Sequence, residues 1–352
     1  MTRAERYSLL AAVTCLLAWP VGAGTPAAIP TYFDADTANE IDDFYAVYRA
    51  MIAPELCVLG VSSIGFSSSR DFGSTTRQSQ QFNEEILLLL GARTVAHPLG
   101  ALRAMPDRFT PVDSAAARDI IAKAKSIDGP QKLRVYATGA LTNIASALLL
   151  EPSIVGKISV FIIGPSLRSG KIAFEDFNSK GDTAAAMMIM ESNVHLNLMP
   201  SAAVISPEYM DYLADSTKPF PTTARPVFKW NLAVAERRLQ GRGGIKSYLL
   251  GRWLMHAPLN KFLLGGESPA LQRLLRIGRF TDTEWVMWDV ALVQASLRPD
   301  TAQSMEIPIG GRSVHVWTEL DNKAMEEDFW RASDAFASDE TPGGQSHKPC
   351  SR

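Results

Sequence analysis

The amino-acid sequence predicts an α/β fold, in which a mostly parallel sheet carries helices on both faces. Three observations lead to this fold class. From residue 29 onward, short apolar runs alternate with helical patterns. The apolar runs are nearly continuous, as in strands that are buried on both faces. No linker divides the chain, so we expect one domain over residues 24–337.

The N-terminal segment predicts a cleaved export signal over residues 1–23. Arg3 and Arg6 form a basic start, residues 9–21 are apolar, and residues 21–23 (Val-Gly-Ala) are small, as cleavage sites require. A membrane anchor is the alternative, but about 13 apolar residues cannot span a bilayer that needs roughly 20. We therefore expect an exported protein, periplasmic or secreted, with no membrane attachment after cleavage.

Alternating strands and helices follow this signal. Strands are predicted over residues 29–34, 57–65, 134–139, 157–165 and 193–200, and helices over residues 42–52, 78–91, 141–152 and 182–192. Ligands of parallel sheets bind beyond the carboxyl ends of the strands. We therefore expect a common mouth formed by the segments FDAD (33–36), SSIGFS (62–67), YATG (136–139) and IIGP (162–165).

The second half of the chain predicts a helical insertion and a closing hairpin. Residues 206–297 have a mainly helical pattern, and residues 304–320 form two strands around Gly310 and Gly311. A final helix is predicted over residues 322–337, and residues 338–352 have the composition of a disordered tail.

Charge and cysteine content restrict the partners and the covalent structure. The net charge of −2 offers no electrostatic reason to expect nucleic acid as a partner. Cleavage of the signal leaves Cys57, in a predicted strand, and Cys350, in the tail. We expect no disulfide between them, because a core strand and a flexible tail make poor partners.

The strongest chemical signal follows the first strand. Five carboxylates stand in ten residues, and they are Asp34, Asp36, Glu40, Asp42 and Asp43. They would repel one another unless a cation lay among them, and the absence of nearby Cys or His favours calcium or magnesium over zinc. Alternatively, Asp42 and Asp43 cap the next helix. Capping leaves Asp34 and Asp36 unexplained.

Two families begin with a motif of this kind. The segment Asp34-Ala35-Asp36-Thr37 resembles the opening motif of haloacid-dehalogenase-type phosphatases, in which the first Asp is the nucleophile. The whole cluster resembles the D-x-D…D-D opening of nucleoside hydrolases. Only the second resemblance continues downstream.

The downstream matches identify the sequence as similar to inosine-uridine preferring nucleoside hydrolases. Residues 138–145 (TGALTNIA) resemble the family segment TGPLTNIA, and residues 176–178 (DFN) resemble EFN. Residues 182–185 (DTAA) are similar to DPEAA, and residues 288–291 (WDVA) stand where the family has H-D-x-x-A. These matches occur in the family's order.

The resemblance implies hydrolysis of the N-glycosidic bond of ribonucleosides or related ribosides by a calcium-bound water. It implies a calcium site formed by Asp36, Asp43, Asp289 and the carbonyl of Thr138, with Asp36 also acting as the general base. It implies that Asp42 contacts the 2′-hydroxyl of the sugar and that Asp176 and Asn178 contact its 5′ side. Family members are often dimers or tetramers, which leaves a homo-oligomer open.

The sequence departs from the family pattern in the substrate pocket. Five residues separate Asp36 from Asp42, two more than is common in the family. Trp288 replaces a histidine that protonates the leaving base in some members, and either stacks on the base or packs as a core aromatic. Ser67 and Lys171 stand where pocket asparagines are usual. Lys171 either favours a phosphorylated substrate or is a solvated loop residue.

These departures motivate one further hypothesis. A non-catalytic protein that binds ribosides or sugars would keep the metal site without assisting the leaving group. A riboside- or sugar-binding protein and a phosphatase with Asp34 as nucleophile are therefore the alternative hypotheses to the hydrolase.

Overall fold

The structure is a computed structural model, and it describes residues 28–66, 71–168, 171–200, 228–240, 249 and 284–338. Its strands are β1 Ile29–Ala35, β2 Leu56–Ser63, β3 Leu133–Ala137, β4 Ile158–Gly164, β5 Ser166–Arg168, β6 Lys171–Ala173, β7 His195–Pro200, β8 Lys229–Asn231, β9 Glu284–Val286, β10 Ala302–Ile309 and β11 Arg312–Leu320. Its α-helices are α1 Ile41–Met51, α2 Phe72–Leu89, α3 Ala115–Ser126, α4 Thr142–Leu150, α5 Phe177–Gly181, α6 Thr183–Glu191, α7 Leu232–Leu239, α8 Trp288–Leu297 and α9 Asn322–Ser338.

The main sheet has the strand order β10-β11-β7-β4-β3-β1-β2. Neighbouring strands run parallel from β11 to β2, and only β10 pairs antiparallel with its neighbour. The carboxyl ends of β1, β3 and β4 therefore lie at one edge of the sheet. The predicted fold class is confirmed.

The sheet separates two hydrophobic cores, because successive side chains of a strand point to opposite faces. On one face, Phe33 and Tyr136 pack with residues of α1, α8 and α9. On the other face, Tyr32 and Val135 pack with residues of α3, α4 and α6. Strands buried on both faces explain the continuous apolar runs in the sequence.

The predicted elements of the first 200 residues agree with the structure to within a few residues, apart from α2, which begins at Phe72. The predicted hairpin also forms, and Gly310 and Gly311 have φ values of 60° and 83°, which glycine adopts without steric cost. The sequence analysis missed α3, whose N-cap Ser114 accepts a hydrogen bond from the Ala117 backbone N–H.

Several predicted segments lie outside the described residues. They are the export signal, the tail from residue 339 and most of the insertion. In the described part of the insertion, the antiparallel pair β8 and β9 lies beside α7 and α8, so the mainly helical prediction for this region missed two short strands. No helix within the described ranges is long and apolar enough to cross a membrane.

The structure has Cys57 in a disulfide, whereas the sequence analysis expected none between Cys57 and Cys350. The other two cysteines, Cys15 and Cys350, lie outside the described residues. Cys57 is the second residue of β2 and is only half-buried.

Candidate active site

The candidate site forms beyond the end of β1. The register of the sheet places Asp34 beside Ser62 of β2 and Ala137 of β3. Asp36 therefore leaves the sheet next to the loop that follows β3. Residues 37–40 turn the chain into α1, whose first turn carries Asp42 and Asp43.

Asp42 and Asp43 contact residues that are distant in the sequence. Asp42 Oδ2 accepts a hydrogen bond of 3.0 Å from the backbone N–H of Asp289, and Asp43 Oδ1 accepts one of 2.7 Å from Thr138 Oγ1. The N-cap of α1 is Glu40, and its side chain makes no capping hydrogen bond. These contacts give both aspartates a role beyond capping their own helix.

Three carboxylates converge at this point. One oxygen from each of Asp42, Asp43 and Asp289 lies within 4.8 Å of the others, and all three residues are buried. Two oxygens bound to the same calcium ion lie at most about 5 Å apart, since each Ca–O distance is about 2.3–2.6 Å. The three side chains can therefore share one cation.

Asp36 lies against the loop that follows β3. A Cβ atom on Gly139 would come within 2.7 Å of Asp36 Cγ, so only glycine permits this close approach. Asp36 is 1% exposed, and neither of its carboxylate oxygens has a hydrogen-bond partner within the described part of the chain. Unpartnered buried oxygens are costly unless a cation or a proton compensates them.

Thr138 connects the carboxylates to the 5′-side residues predicted from the sequence. Its carbonyl oxygen accepts a hydrogen bond of 2.7 Å from Asn178 Nδ2, which also donates to the carbonyl of Ile163 at 3.2 Å. A carbonyl oxygen has two lone pairs, so the Thr138 carbonyl retains one acceptor position. The amide donors of Asn178 are committed to the backbone, and its Oδ1 atom is the group it can offer to a ligand.

Burial and mutual repulsion raise the pKa values of the carboxylates at this site. Burial raises the pKa of Asp42 to about 6, and burial with the charges of Asp42 and Asp43 raises the pKa of Glu40 to about 8. Burial and neighbouring carboxylates also raise the pKa values of Asp36, Asp43 and Asp289 well above the usual range. A bound cation relieves this repulsion, so the donor set fits a hard metal ion.

Asp34 has a different environment. It is fully buried, and its Oδ1 atom accepts hydrogen bonds from Ser62 Oγ at 2.5 Å and from Asn143 Nδ2 at 2.9 Å. Burial raises its pKa to about 7 in spite of these two donors. Asp34 ties the ends of β1 and β2 to α4 and has no access to a substrate.

A cavity of about 260 Å³ opens beside the three converging carboxylates, and its wall consists of Asn39, Glu40, Asp42, Thr138, Ile163, Asp176, Phe177, Asn178, Trp288 and Asp289. Of the four segments predicted at the mouth, YATG and IIGP contribute Thr138 and Ile163. Asp36 and Asp43 are not among the described residues of this wall.

One family model, described as inosine-uridine preferring nucleoside hydrolase, matches residues 31–327. This range covers most of the chain. The chain belongs to the nucleoside hydrolase family. It is therefore a glycosyl hydrolase with a small-molecule nucleoside substrate, and the sequence resemblance is confirmed.

The nucleoside hydrolase is a divergent member of the family. It is 25% identical to the pyrimidine-specific ribonucleoside hydrolase RihA of Citrobacter koseri, over 57% of this chain and 68% of that protein. It is similar in structure to an inosine-guanosine nucleoside hydrolase (TM-score 0.59, 15% identity, 88% of this chain and 99% of that chain). The purine-preferring ribonucleoside hydrolase from Gardnerella vaginalis gives a TM-score of 0.57 at 16% identity, over 88% of this chain and 99% of that chain.

Neither alternative hypothesis is favoured for this nucleoside hydrolase. The phosphatase needs Asp34 as a nucleophile, but Asp34 is 0% exposed and is not part of the described cavity wall. The family match favours an enzyme over a non-catalytic riboside- or sugar-binding protein. Trp288 stands where the family pattern has a histidine, so catalysis by this enzyme has to proceed without that acid.

The structure adds residues that the sequence analysis did not assign. Glu40 belongs to the acidic motif but was given no role, and Asn39 and Phe177 were not singled out for the cavity. Phe177 stands between Asp176 and Asn178, so its position in a binding motif was the available signal. Ser67 and the side chain of Lys171 lie outside the described residues.

Proposed function

We propose that this enzyme hydrolyses ribonucleosides or related ribosides with one calcium ion and with Asp36 as the general base. The convergence of Asp42, Asp43 and Asp289 within 4.8 Å carries the proposal. Asp42 and Asp289, which are 247 positions apart in the chain, are in contact, and both line the cavity.

Calcium fits the donors at this site. The family pattern assigns Asp36, Asp43, Asp289 and the Thr138 carbonyl as ligands, and all four offer oxygen atoms. Calcium accepts six to eight oxygens in flexible geometry, which leaves room for Asp42 or for hydroxyls of a sugar. When bound, the cation positions a water and makes its deprotonation easier.

The side chains of the enzyme divide the remaining work. Asp36 can accept the proton of the attacking water, because both of its oxygens lack partners among the described residues. Asp42 Oδ2 is engaged by the Asp289 backbone, which leaves Oδ1 to accept from a 2′-hydroxyl. The surrounding carboxylates stabilise the positive charge that develops on the sugar in an oxocarbenium-like transition state.

The 5′ side of the sugar would bind at Asp176 and Asn178. Asp176 Oδ1 accepts from the Ser179 backbone N–H, and its Oδ2 atom is buried without a partner in the described chain. Together with Asn178 Oδ1, this oxygen offers an acceptor to a 5′-hydroxyl. We assign Ser67 and Lys171 to the same pocket on the sequence pattern.

Two aromatic residues suit the base. Trp288 packs partly on the hydrophobic core and also lines the cavity, which supports the stacking role considered from the sequence. Phe177 lines the cavity and is 49% exposed. Both rings offer a face on which a base can stack.

Asp36→Asn tests the role of the base. The substitution keeps the size of the side chain, and we expect kcat for riboside hydrolysis to fall by about 10²–10⁴-fold, the usual contribution of a general base. Asp119→Asn on α3 is the control, because Asp119 lies outside the cavity wall. Activity of Asp36→Asn within a factor of about three of wild type would remove Asp36 from this role.

Metal analysis tests the cation separately. After dialysis against calcium, we expect one calcium ion per chain, and no bound calcium after that treatment would refute the site. Magnesium in place of calcium under competition would keep the site and change the ion.

We also propose that the protein is exported and cleaved after residue 23. The basic and apolar N-terminus supports this, and the disulfide at Cys57 suits an oxidising compartment. N-terminal sequencing of the protein from the producing cells would test it. An intact Met1 start would contradict it.

A further inference from the structure

Two histidines lie close together on one face of the main sheet, toward the end opposite the candidate active site. His195 is the first residue of β7, and His315 of β11 pairs with Asn197, two residues further along β7. Residues that are paired across a ladder, or two apart in one strand, point to the same face of a sheet. His195 and His315 therefore share a face, and the spacing of strands and residues puts their Cα atoms about 8 Å apart.

Both imidazole rings are held through Nδ1. His315 Nδ1 lies 3.1 Å from Oε1 of Glu306, its antiparallel partner on β10. His195 Nδ1 lies 2.7 Å from Oγ of Ser159, its partner on β4. These contacts reach outward, toward β10 from one histidine and toward β4 from the other. The two nitrogens lie on opposite sides of an imidazole ring, so Nε2 of each histidine is on the side of the strand that carries the other.

The partners of Nδ1 leave Nε2 ready to bind a metal. Hydrogen bonding from Ser313 lowers the pKa of Glu306, and its ionised carboxylate can only accept. Neutral His315 therefore carries its proton on Nδ1 and has the lone pair of Nε2 free. Ser159 Oγ accepts from Asn197 Nδ2 at 3.1 Å and has a second lone pair for a proton on His195 Nδ1. Metal-binding histidines usually donate their other nitrogen to a fixed acceptor in this way.

The surroundings keep His195 neutral and accessible. His195 is exposed and the His315 side chain is 29% exposed, so an ion can reach both rings. Burial, and then the charge of Lys132, lower the pKa of His195. His315 and Arg312 act in the same direction, and Glu306 opposes them. Neutral imidazole is the form that binds metals, so this environment favours binding at neutral pH.

We propose that His195 and His315 form a second metal site, in which their Nε2 atoms bind one divalent transition-metal ion. Imidazole nitrogen suits copper, nickel and zinc, and copper binds most tightly of the three. Water completes the coordination. The donors differ from the oxygens of Asp42, Asp43 and Asp289, which suit a hard cation, so this site does not depend on the proposed calcium site.

A metal at this position joins two strands that share a short ladder. β11 pairs with β7 only at His315–Asn197 and Val316–Leu198, whereas β4 pairs with β7 along the whole of β7. The hairpin β10–β11 meets the rest of the sheet through this junction. One ligand on each strand therefore crosslinks the junction, and the ion stabilises the folded state because the unfolded chain does not hold the two rings together.

Copper binding to the untagged, calcium-saturated, full-length protein tests the proposal. Calcium fills the oxygen site, and Cu²⁺ is the probe because electron spin echo envelope modulation counts the imidazoles that it binds. We expect a Cu²⁺ ion with two imidazoles and a Tm that rises with copper concentration. His195→Gln and His315→Gln should each raise the copper Kd at least tenfold and leave at most one imidazole on the ion. Glu306→Gln, which keeps an acceptor for His315 but removes the charge, should raise the Kd about tenfold.

His97→Gln is the matched control. His97 is exposed like His195, and its Nδ1 atom lies 2.9 Å from the carbonyl of Val95, away from the other two histidines of the described residues. This variant should keep two imidazoles on copper and a Kd within twofold of wild type.

The outcomes separate this site from the proposed function. Fewer than two imidazoles in the wild-type protein, or a copper Kd that is unchanged in both His195→Gln and His315→Gln, would overturn the second site. An equal loss of affinity in His97→Gln would overturn it as well. Riboside hydrolysis and calcium stoichiometry should match wild type in His195→Gln and His315→Gln, because these residues lie toward the opposite end of the sheet. Loss of either in both variants would contradict a site separate from the candidate active site.

Discussion

Replacing Thr138 with valine removes one hydrogen bond from the proposed metal site and leaves the backbone carbonyl in place. Thr138 Oγ1 donates to Asp43 Oδ1 at 2.7 Å, and both residues are almost fully buried. Valine has nearly the same shape but no hydroxyl, so Asp43 loses a donor without gaining a cavity. The substitution therefore isolates the support that Thr138 gives to this carboxylate.

The expected loss follows from that single contact. A hydrogen bond to a charged group contributes about 1.5–3 kcal/mol. Since about 1.4 kcal/mol corresponds to a factor of ten, the calcium Kd should rise by about 10–100-fold, as is usual when a group that supports a metal ligand is lost. Isothermal titration calorimetry of the metal-depleted protein measures this Kd.

The pH dependence of that loss is a second readout. Burial and the charge of Asp42 raise the pKa of Asp43, and the hydroxyl of Thr138 lowers it. Thr138→Val should therefore raise this pKa, and protons should compete more strongly with calcium at low pH. We expect the difference in calcium Kd between wild type and Thr138→Val to shrink as the pH rises.

Thr142→Val is a matched control. Thr142 Oγ1 donates to Asp182 Oδ2 at 2.6 Å, and this buried pair lies outside the described cavity wall. The control should lower stability by a similar amount and leave the calcium Kd within twofold of wild type. The reasoning is refuted if Thr138→Val binds calcium as tightly as wild type, or if both variants lose affinity equally.

Three further predictions follow from the buried charges and the disulfide. In EDTA, the free energy of unfolding should increase as the pH falls from about 8 to about 6. Burial raises the pKa of Asp42 to about 6, and burial with nearby carboxylates raises that of Glu40 to about 8. Such groups stabilise the fold below their unfolded pKa values of about 4, and they lose this contribution as the pH rises through their folded pKa values. Urea titrations at several pH values measure this, and a decrease over the same window would contradict it. Arg49→Met should lower the free energy of unfolding by about 2 kcal/mol, because Arg49 donates a buried hydrogen bond of 3.0 Å to the charged Asp328. Chemical denaturation measures this free energy, and a loss below about 0.5 kcal/mol would show that the pair contributes little to stability. Cys57 in the purified exported protein should react with iodoacetamide only after reduction, and alkylation without reductant, seen by mass spectrometry, would exclude the disulfide.

Much of the fold follows from local sequence patterns. Continuous apolar runs such as residues 157–165 indicate a strand covered on both faces, and the structure has β4 there. Gly310 and Gly311 mark the turn of the last hairpin because they adopt positive φ values. The pairs β5–β6 and β8–β9 were missed, because three-residue strands carry too little periodicity to be recognised.

The direction of each functional side chain depends on contacts across the chain. The sequence assigned Asp36 to the calcium site with Asp43 and Asp289, and the three carboxylates that converge within 4.8 Å in the structure are those of Asp42, Asp43 and Asp289. Neighbouring residues on a helix differ by about 100° in direction. The packing of α8 on α1, and not the motif alone, determines how these aspartates are placed.

The sequence by itself determined the fold class and the family and predicted a hard cation, because periodicity and oxygen-rich motifs are local properties. The tertiary structure alone decided that Asp34 is buried against Ser62 and Asn143, that Asn178 holds the Thr138 carbonyl, and that Glu40 and Phe177 line the cavity. These facts involve contacts between residues that are far apart in the chain. Packing of separate elements sets such contacts, and no local pattern encodes them.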